Sequence, residues 1–431
     1  MQLLRNPTFG LIAALLLGAG IWLYFQRVLI PYQVRESAAH AIPRGNLSDL
    51  YPRWLGAREL LLRGRDPYSA EVTREIQTGT YGRPLDPSLP ADPKDQQRFA
   101  YPVYVALLLA PSVKLSFSVL QTIFRWLLAA MVVATAWLWL RFVQWHLTGR
   151  ALGIVVVLAL GSLASVQGIK LQQLSLLVSA LIAASAVQLA AGQLFLAGVL
   201  LALATIKPQL VLLPAAWLLL WTFADWKRRQ NFAWGFLLSV AALVAGGEYL
   251  LPGWIAEFAA AIVAYRHYTA SSPVLVEFLG NVGGLALNMI ALVVTFIVAW
   301  RLKTASAKSS SFTLVTALAL AVNVLVDPTT ATYNQIFLLP AILLIARYWT
   351  HFWTQNALTR IIYLIATLLF LWPWLAAVIL VLASTALPLP SVEKAWAVPL
   401  WTSLAIPVLV ACLLIPLVSG ELRNPQDSSA V

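Results

Sequence analysis

No charged residue occurs between positions 361 and 383. A stretch that long and that apolar is strongly constrained. About 20 residues rising 1.5 Å each cross the ~30 Å hydrocarbon core of a bilayer, and a lone segment there must be helical to pair its own backbone groups. Further apolar stretches lie at 9–25, 117–145, 151–166, 174–190, 195–206, 208–224, 232–250, 284–300, 312–326, 335–346 and 399–418, which with 361–383 makes about twelve. The chain is therefore expected to be an all-α polytopic membrane protein. Composition agrees, with 60% hydrophobic and only 11% charged residues and a mean hydropathy of +0.80, against about 25% charged in soluble domains. The 24 prolines and 18 tryptophans fit, since bundles tolerate broken helices and Trp favours the membrane interface.

With the amino terminus cytoplasmic, Lys227-Arg228-Arg229, Arg301 with Lys303 and Lys308, Arg347 and Arg360 all fall on the cytoplasmic side, as the positive-inside rule requires. The net charge of +12 is thus read as orientation, and nucleic acid is not expected as a partner. The first apolar stretch shows no small-residue cleavage site and is expected to be an uncleaved anchor. Residues 26–116 then form a large outer loop, 420–431 a short polar cytoplasmic tail, and 1–431 a single domain. A lone Cys412 leaves no internal disulfide, and His40, His146, His267 and His351 form no spaced pair, so neither a metal nor a cofactor is assigned.

The outer loop is where water-exposed chemistry is expected, since 27–98 carries nine of the seventeen acidic residues. From Leu50, apolar residues recur at Trp54, Ala57, Leu61 and Leu62 while Arg53, Arg58, Glu59 and Arg63 take other faces, and Gly64 follows. That pattern predicts a lateral interfacial helix stopped at Gly64. Asp49 lies at its amino-terminal end, where it either caps the helix or, held ionised by the helix dipole, serves as a base. Asp66-Pro67 reads as a turn, and 101–113 as a short re-entrant or interfacial helix. The stretch 195–206 is too short to cross alone, and Lys207-Pro208 breaks a hairpin with Pro208 opening the next helix. Lys207 either snorkels or is functional. Lys170 with Gln172-Gln173, Glu248, and Asp327 to Asn334 place further polar groups on the outer side.

Asp49-Leu50-Tyr51, Ala57-Arg58-Glu59-Leu60-Leu61 and Gly64-Arg65-Asp66-Pro67-Tyr68 resemble the first-loop signature of glycosyltransferase family 87, in the GT-C superfamily of membrane glycosyltransferases. The likeness continues through Phe99-Ala100-Tyr101-Pro102, Gln173-Leu174-Ser175-Leu176-Leu177, and 196–204 leading to Lys207-Pro208. Gln172 stands where that family usually has Gly and Ser175 where Asn is common, and Asp327-Pro328-Thr329-Thr330-Ala331-Thr332-Tyr333 lacks the histidine of the family's late block.

The resemblance implies a GT-C-like bundle in a cell membrane and inverting transfer of a mannose-like hexose from a polyprenyl-phosphate sugar to a glycolipid or glycan hydroxyl on the extracytoplasmic side. Asp49 matches the family's base. Such a reaction also needs positive charge at the leaving phosphate; Lys207 is the first candidate, then Arg58 and Lys170. Tyr51, Asp66, Tyr68, Tyr101, Gln173, Asp327 and Tyr333 are candidates for substrate positioning. The other functions considered are a flippase or exporter of lipid-linked glycans and a non-catalytic membrane assembly protein.

Overall fold

The computed structural model describes residues 7–39, 48–86, 88–89, 92–269, 271–354 and 357–423, and the regular structure among them is helical throughout. Of the expected tail, 424–431 lie outside the described residues, as does His40. The order is α1 (Pro7–Tyr24), a π-helical turn (Phe25–Leu29), α2 (Ile30–Ala39), α3 (Leu50–Arg63), α4 (Ala70–Tyr81), α5 (Val105–Leu109), α6 (Phe117–Phe142), α7 (Gly149–Leu160) and α8 (Leu163–Lys170). There follow α9 (Ser175–Ala190), α10 (Leu194–Leu203), α11 (Pro208–Ala224), α12 (Trp226–Leu250), α13 (Trp254–Thr269), α14 (Val274–Leu302) and α15 (Ser310–Val326). The chain closes with a 3₁₀ turn (Thr332–Leu338), α16 (Leu339–Arg347), α17 (Trp349–Thr354), α18 (Ala357–Ala386), α19 (Leu389–Glu393), α20 (Val398–Ser403) and α21 (Ile406–Arg423).

Six helical stretches among the described residues are long and apolar enough to cross a membrane alone: Pro7–Ala39, Phe117–Phe142, Trp226–Leu250, Val274–Leu302, Ala357–Ala386 and Leu389–Leu422. The pair α7–α8, bent by 54°, makes a seventh if taken as one span. The other apolar stretches form helices of 10–17 residues, too short to be counted by length. The first helix also runs past position 25 to Ala39, so the first part of the expected outer loop is helical.

Burial separates core from periphery. α15 is buried at every position from Ser311 to Leu325, as a helix apolar on all sides must be. By contrast α14 and α18 expose Val282, Leu285, Met289, Leu364, Ile365 and Leu368, an outward apolar face suited to lipid rather than water. α10 crosses α12 so closely that a Cβ on Gly198 would sit 2.3 Å from the Phe232 carbonyl oxygen, and one on Gly235 2.2 Å from that of Phe195. Small residues are what permit such backbone contact in a membrane bundle.

Two local predictions match. α3 ends at Gly64, which takes φ +65° and donates its N–H to the Leu60 carbonyl at 3.0 Å, a conformation that costs Gly little. The helical path breaks at Lys207, and Pro208 opens α11, though α10 packs on α9 and α12 rather than folding back on α11 as a hairpin. At the start of α11, Asn323 of α15 bonds the backbone: its Nδ2 donates to the Gln209 carbonyl at 3.1 Å while its Oδ1 accepts from Leu213 N at 3.2 Å. This pins α11 to the central helix.

Candidate functional site

Asp49 sits at the start of α3, but its carboxylate does not cap the helix. Ser48 supplies a local hydroxyl instead, accepting from Leu50 N at 3.2 Å. Asp49 N donates to the Leu171 carbonyl at 2.9 Å, which docks the head of α3 onto the loop after α8. There Gln173 Nε2 donates to Asp49 Oδ2.

Gln173 passes the contact on. Its Oε1 accepts from Lys207 Nζ at 2.7 Å, and the same ammonium donates to Ser175 Oγ at 2.7 Å. Ser175 Oγ donates to Asn334 Oδ1 at 2.8 Å, and Asn334 Nδ2 donates to Asp327 Oδ2 at 2.8 Å. Thr329 closes the far end, giving its N–H (3.0 Å) and Oγ1 (2.9 Å) to Asp327 Oδ1. A continuous polar chain thus joins Asp49, Gln173, Lys207, Ser175, Asn334 and Asp327, drawn from four separate parts of the sequence. Lys207, only 5% exposed, is its centre.

Aromatic faces and a second cation complete the site. The Lys207 ammonium lies 5.1 Å from the Tyr333 ring centroid and 5.8 Å from that of Tyr101, within cation–π range. Arg53, one helical turn after Asp49, donates to the Asp49 carbonyl and stacks 4.4 Å over Tyr101. Its Nε is buried and has no hydrogen-bond partner among the described residues. An ammonium has three donors, and the two bonds above leave Lys207 one N–H to give. The hydrogen bonds above engage Oδ2 of Asp49 and leave Oδ1 to accept. What the arrangement offers is therefore a carboxylate oxygen and an ammonium N–H not engaged by the bonds above, held in a buried setting and coupled through one amide.

Burial pushes the Asp49 carboxyl above the usual carboxylate range, against the opposing pull of Arg53, the Gln173 hydrogen bond and the more distant Lys207. Desolvation, the largest effect, works against the ionisation expected at the helix head, because the head of α3 is docked inward. Burial likewise raises Asp327, opposed first by its Thr329 bonds.

The other candidates stand elsewhere. Tyr68 acts at one remove, donating its hydroxyl to the Tyr101 carbonyl at 2.6 Å. Asp66 forms a turn, its Oδ1 accepting from Tyr68 N at 2.8 Å. Between them, Arg65 bonds Glu59 (2.7 Å), Glu71 (3.0 Å) and Glu75 (2.7 Å) and so ties α3 to α4; the Gly64–Tyr68 signature is largely a clamp. Tyr51 packs against Trp54 and Phe117, and Arg58 lies 5.3 Å over Trp54. Lys170 faces Trp22 at 5.2 Å, in a different cavity. Glu248 accepts from Gly253 N at 2.8 Å and holds a turn. The sequence reading places Arg53 only on a polar helix face, although its i+4 spacing from Asp49 puts both on one side. Nothing in the sequence singles out Asn334.

Gln172 has φ +50°, in the region that favours glycine. It is fully buried, and its Nε2 donates to the carbonyls of Ile169 and Lys170 at 2.7 Å each. The side chain serves as a cap for the end of α8.

Beside the polar chain, an apolar cavity of about 350 Å³ is lined by Trp145, Leu158, Gln335, Phe370 and Trp374 among others. None of the residues of the polar chain lines it; Gln335, whose Nε2 donates to the Ser403 carbonyl at 2.9 Å, is the sequence neighbour of Asn334.

Compared with known proteins, residues 99–328 match the profile of glycosyltransferase family 87. No curated protein and no solved structure matches.

Proposed function

The chain belongs to glycosyltransferase family 87, and we propose that it transfers a mannose-like hexose from a polyprenyl-phosphate sugar to an acceptor hydroxyl on the extracytoplasmic side of a cell membrane, with inversion. Asp49 Oδ1 takes the acceptor proton as that oxygen attacks the anomeric carbon. The bond from that carbon to the phosphate oxygen breaks, and its electron pair leaves with the polyprenyl phosphate. Lys207, through its remaining N–H, and Arg53 offset the charge that grows on the leaving oxygen; charge-assisted bonds to phosphate are among the strong ones.

The observation that carries this reading is the Asp49–Gln173–Lys207 connection. A base and a phosphate-binding cation must lie one sugar ring apart, and a shared amide fixes their separation. The raised Asp49 carboxyl also suits a base that must hold the proton it takes. The apolar cavity of about 350 Å³ offers room for isoprene units of the donor, and the lipid-facing sides of α14 and α18 keep the site in a membrane.

The test is incubation of the purified protein, in lipid, with radiolabelled polyprenyl-phosphate hexoses and a membrane glycolipid extract. A new labelled glycolipid is expected. Labelled donor crossing the bilayer unchanged, with no new glycosidic bond, would replace this reading by a flippase.

A further inference from the structure

A second cationic centre lies on the far side of residues 170–173. A cavity of about 290 Å³ opens between the π-helical turn, α6 and α8, and Gln26, Gln33, Gln121, Arg125, Gln167 and Lys170 provide its polar lining. Two cations and four amides thus face one space with no carboxylate in its wall. Among the described residues neither Arg125 nor Lys170 has an ion-pair partner. Gln167 Oε1 is buried with no hydrogen-bond partner there either. Arg125 is exposed and Lys170 half-buried, so both can turn their like charge to one anion in this space beside Phe25, Leu29 and Ile30.

The cavity lies against α6, a helix long and apolar enough to cross a membrane. Arg125 is flanked on α6 by Ile123, 47% exposed, and Trp126, 75% exposed. It lies about 12 Å along the helix from Phe117, and an exposed Trp suits a membrane interface. The wall opposite α6 is the π-helical turn itself, a rare departure from α geometry that recurs at functional sites.

We infer that this cavity binds a phosphate group borne by a lipid, with the Arg125 guanidinium and the Lys170 ammonium on the phosphate oxygens and the glutamine amides on neighbouring polar atoms of the headgroup. Arg presents a fork and Lys a point charge to such a group. The site is separate from the Asp49–Lys207 chain but linked to it. Gln121 Nε2 donates to Gln172 Oε1 at 3.0 Å, and Gln172 holds the end of α8 next to Gln173. Occupancy therefore steadies the segment that presents Gln173 to Asp49. The inference rests on the cavity and not on the proposed reaction.

The test measures binding to the purified full chain in uncharged detergent, with three probes: dioctanoyl phosphatidylglycerol, dioctanoylglycerol and inorganic phosphate. Phosphatidylglycerol should bind wild type and lose about tenfold in affinity in each of Arg125→Gln and Lys170→Gln, the loss of one charged contact. Lys170→Arg should stay within about threefold, because charge is kept, and melting curves establish that each variant is folded. Inorganic phosphate binding as tightly, and lost in the same variants, would assign the site to the free ion; weak binding of it assigns the site to lipid phosphate. Equal affinity of phosphatidylglycerol for wild type and both folded Gln variants, or equal affinity for dioctanoylglycerol, overturns the inference.

Discussion

Replacing Lys207 with Met separates what this residue does for the fold from what it does for the reaction. Met has nearly the length and flexibility of Lys and fills the same space, so the packing beneath Tyr101 and Tyr333 is largely kept. Gln173 Oε1 and Ser175 Oγ each lose a charged donor at 2.7 Å, which costs about 1–3 kcal/mol apiece when a buried partner is left unpaired. Removing a buried ammonium recovers part of that. The folding cost should therefore be modest, on the order of 1–3 kcal/mol. Catalysis should suffer more, since loss of one positioned donor to developing charge costs about 2.7–4 kcal/mol, a 10²–10³-fold fall in kcat. The assay pairs initial rates of labelled-sugar transfer at saturating donor with thermal unfolding in the same detergent. Lys207→Arg, which keeps the charge but not the ammonium geometry, should recover part of the rate. A folded Lys207→Met protein transferring within about threefold of wild type would refute the role given to this cation, and a collapse in stability with an unchanged rate per folded molecule would make Lys207 purely structural.

Other perturbations test other parts of the account. Because burial raises the Asp49 carboxyl, the acid limb of kcat/KM should lie above the ordinary carboxylate value of about 4, with activity lost as pH falls through it. Arg53 lowers that pKa, so Arg53→Gln should move the limb to still higher pH; a pH–rate profile checks both, and a limb that stays put excludes the coupling. Gln172→Gly relieves a positive φ, worth about 1–2 kcal/mol, but forfeits the side-chain bonds that cap α8, whereas Gln172→Ala forfeits them and keeps the strain. Unfolding midpoints should rank wild type, then Gly, then Ala; a Gly variant as stable as wild type contradicts the cap, and an Ala variant more stable than Gly contradicts the strain. Gly198→Val, driven against the Phe232 carbonyl, should lower the yield of folded protein sharply, and an unchanged melting curve would show that α10 and α12 do not cross so closely.

The sequence carried local signals well and distant ones poorly. Leu50–Arg63 and its stop at Gly64 could be read from apolar spacing and one glycine, and the break at Lys207-Pro208 from a proline after a short apolar run. α13 was not legible, because Glu257, Arg266 and His267 interrupt its apolar residues. Nor was the continuation of the first helix through Ile30–Ala39, where the polar composition reads as loop. Counting apolar stretches gives twelve, but helices as short as Leu194–Leu203 lack the length of a full crossing. Within the site, Asp49, Lys207, Gln173, Tyr101, Tyr333 and Asp327 do converge. What joins them is long-range: Gln173 meets Asp49 across 124 positions and Ser175 meets Asn334 across 159, distances over which a single sequence holds no pairing signal. Lys170 shows the converse, a candidate whose type fits but whose neighbours place it in another cavity.

The central claim is that Asp49 is the base of a sugar transfer. Asp49→Asn keeps the side chain's size and leaves Gln173 an oxygen to bond, but removes the charge that takes a proton. Transfer of radiolabel from polyprenyl-phosphate hexose to glycolipid should fall at least 10²-fold while the melting curve moves little. Transfer at the wild-type rate by the folded Asp49→Asn protein would contradict the account.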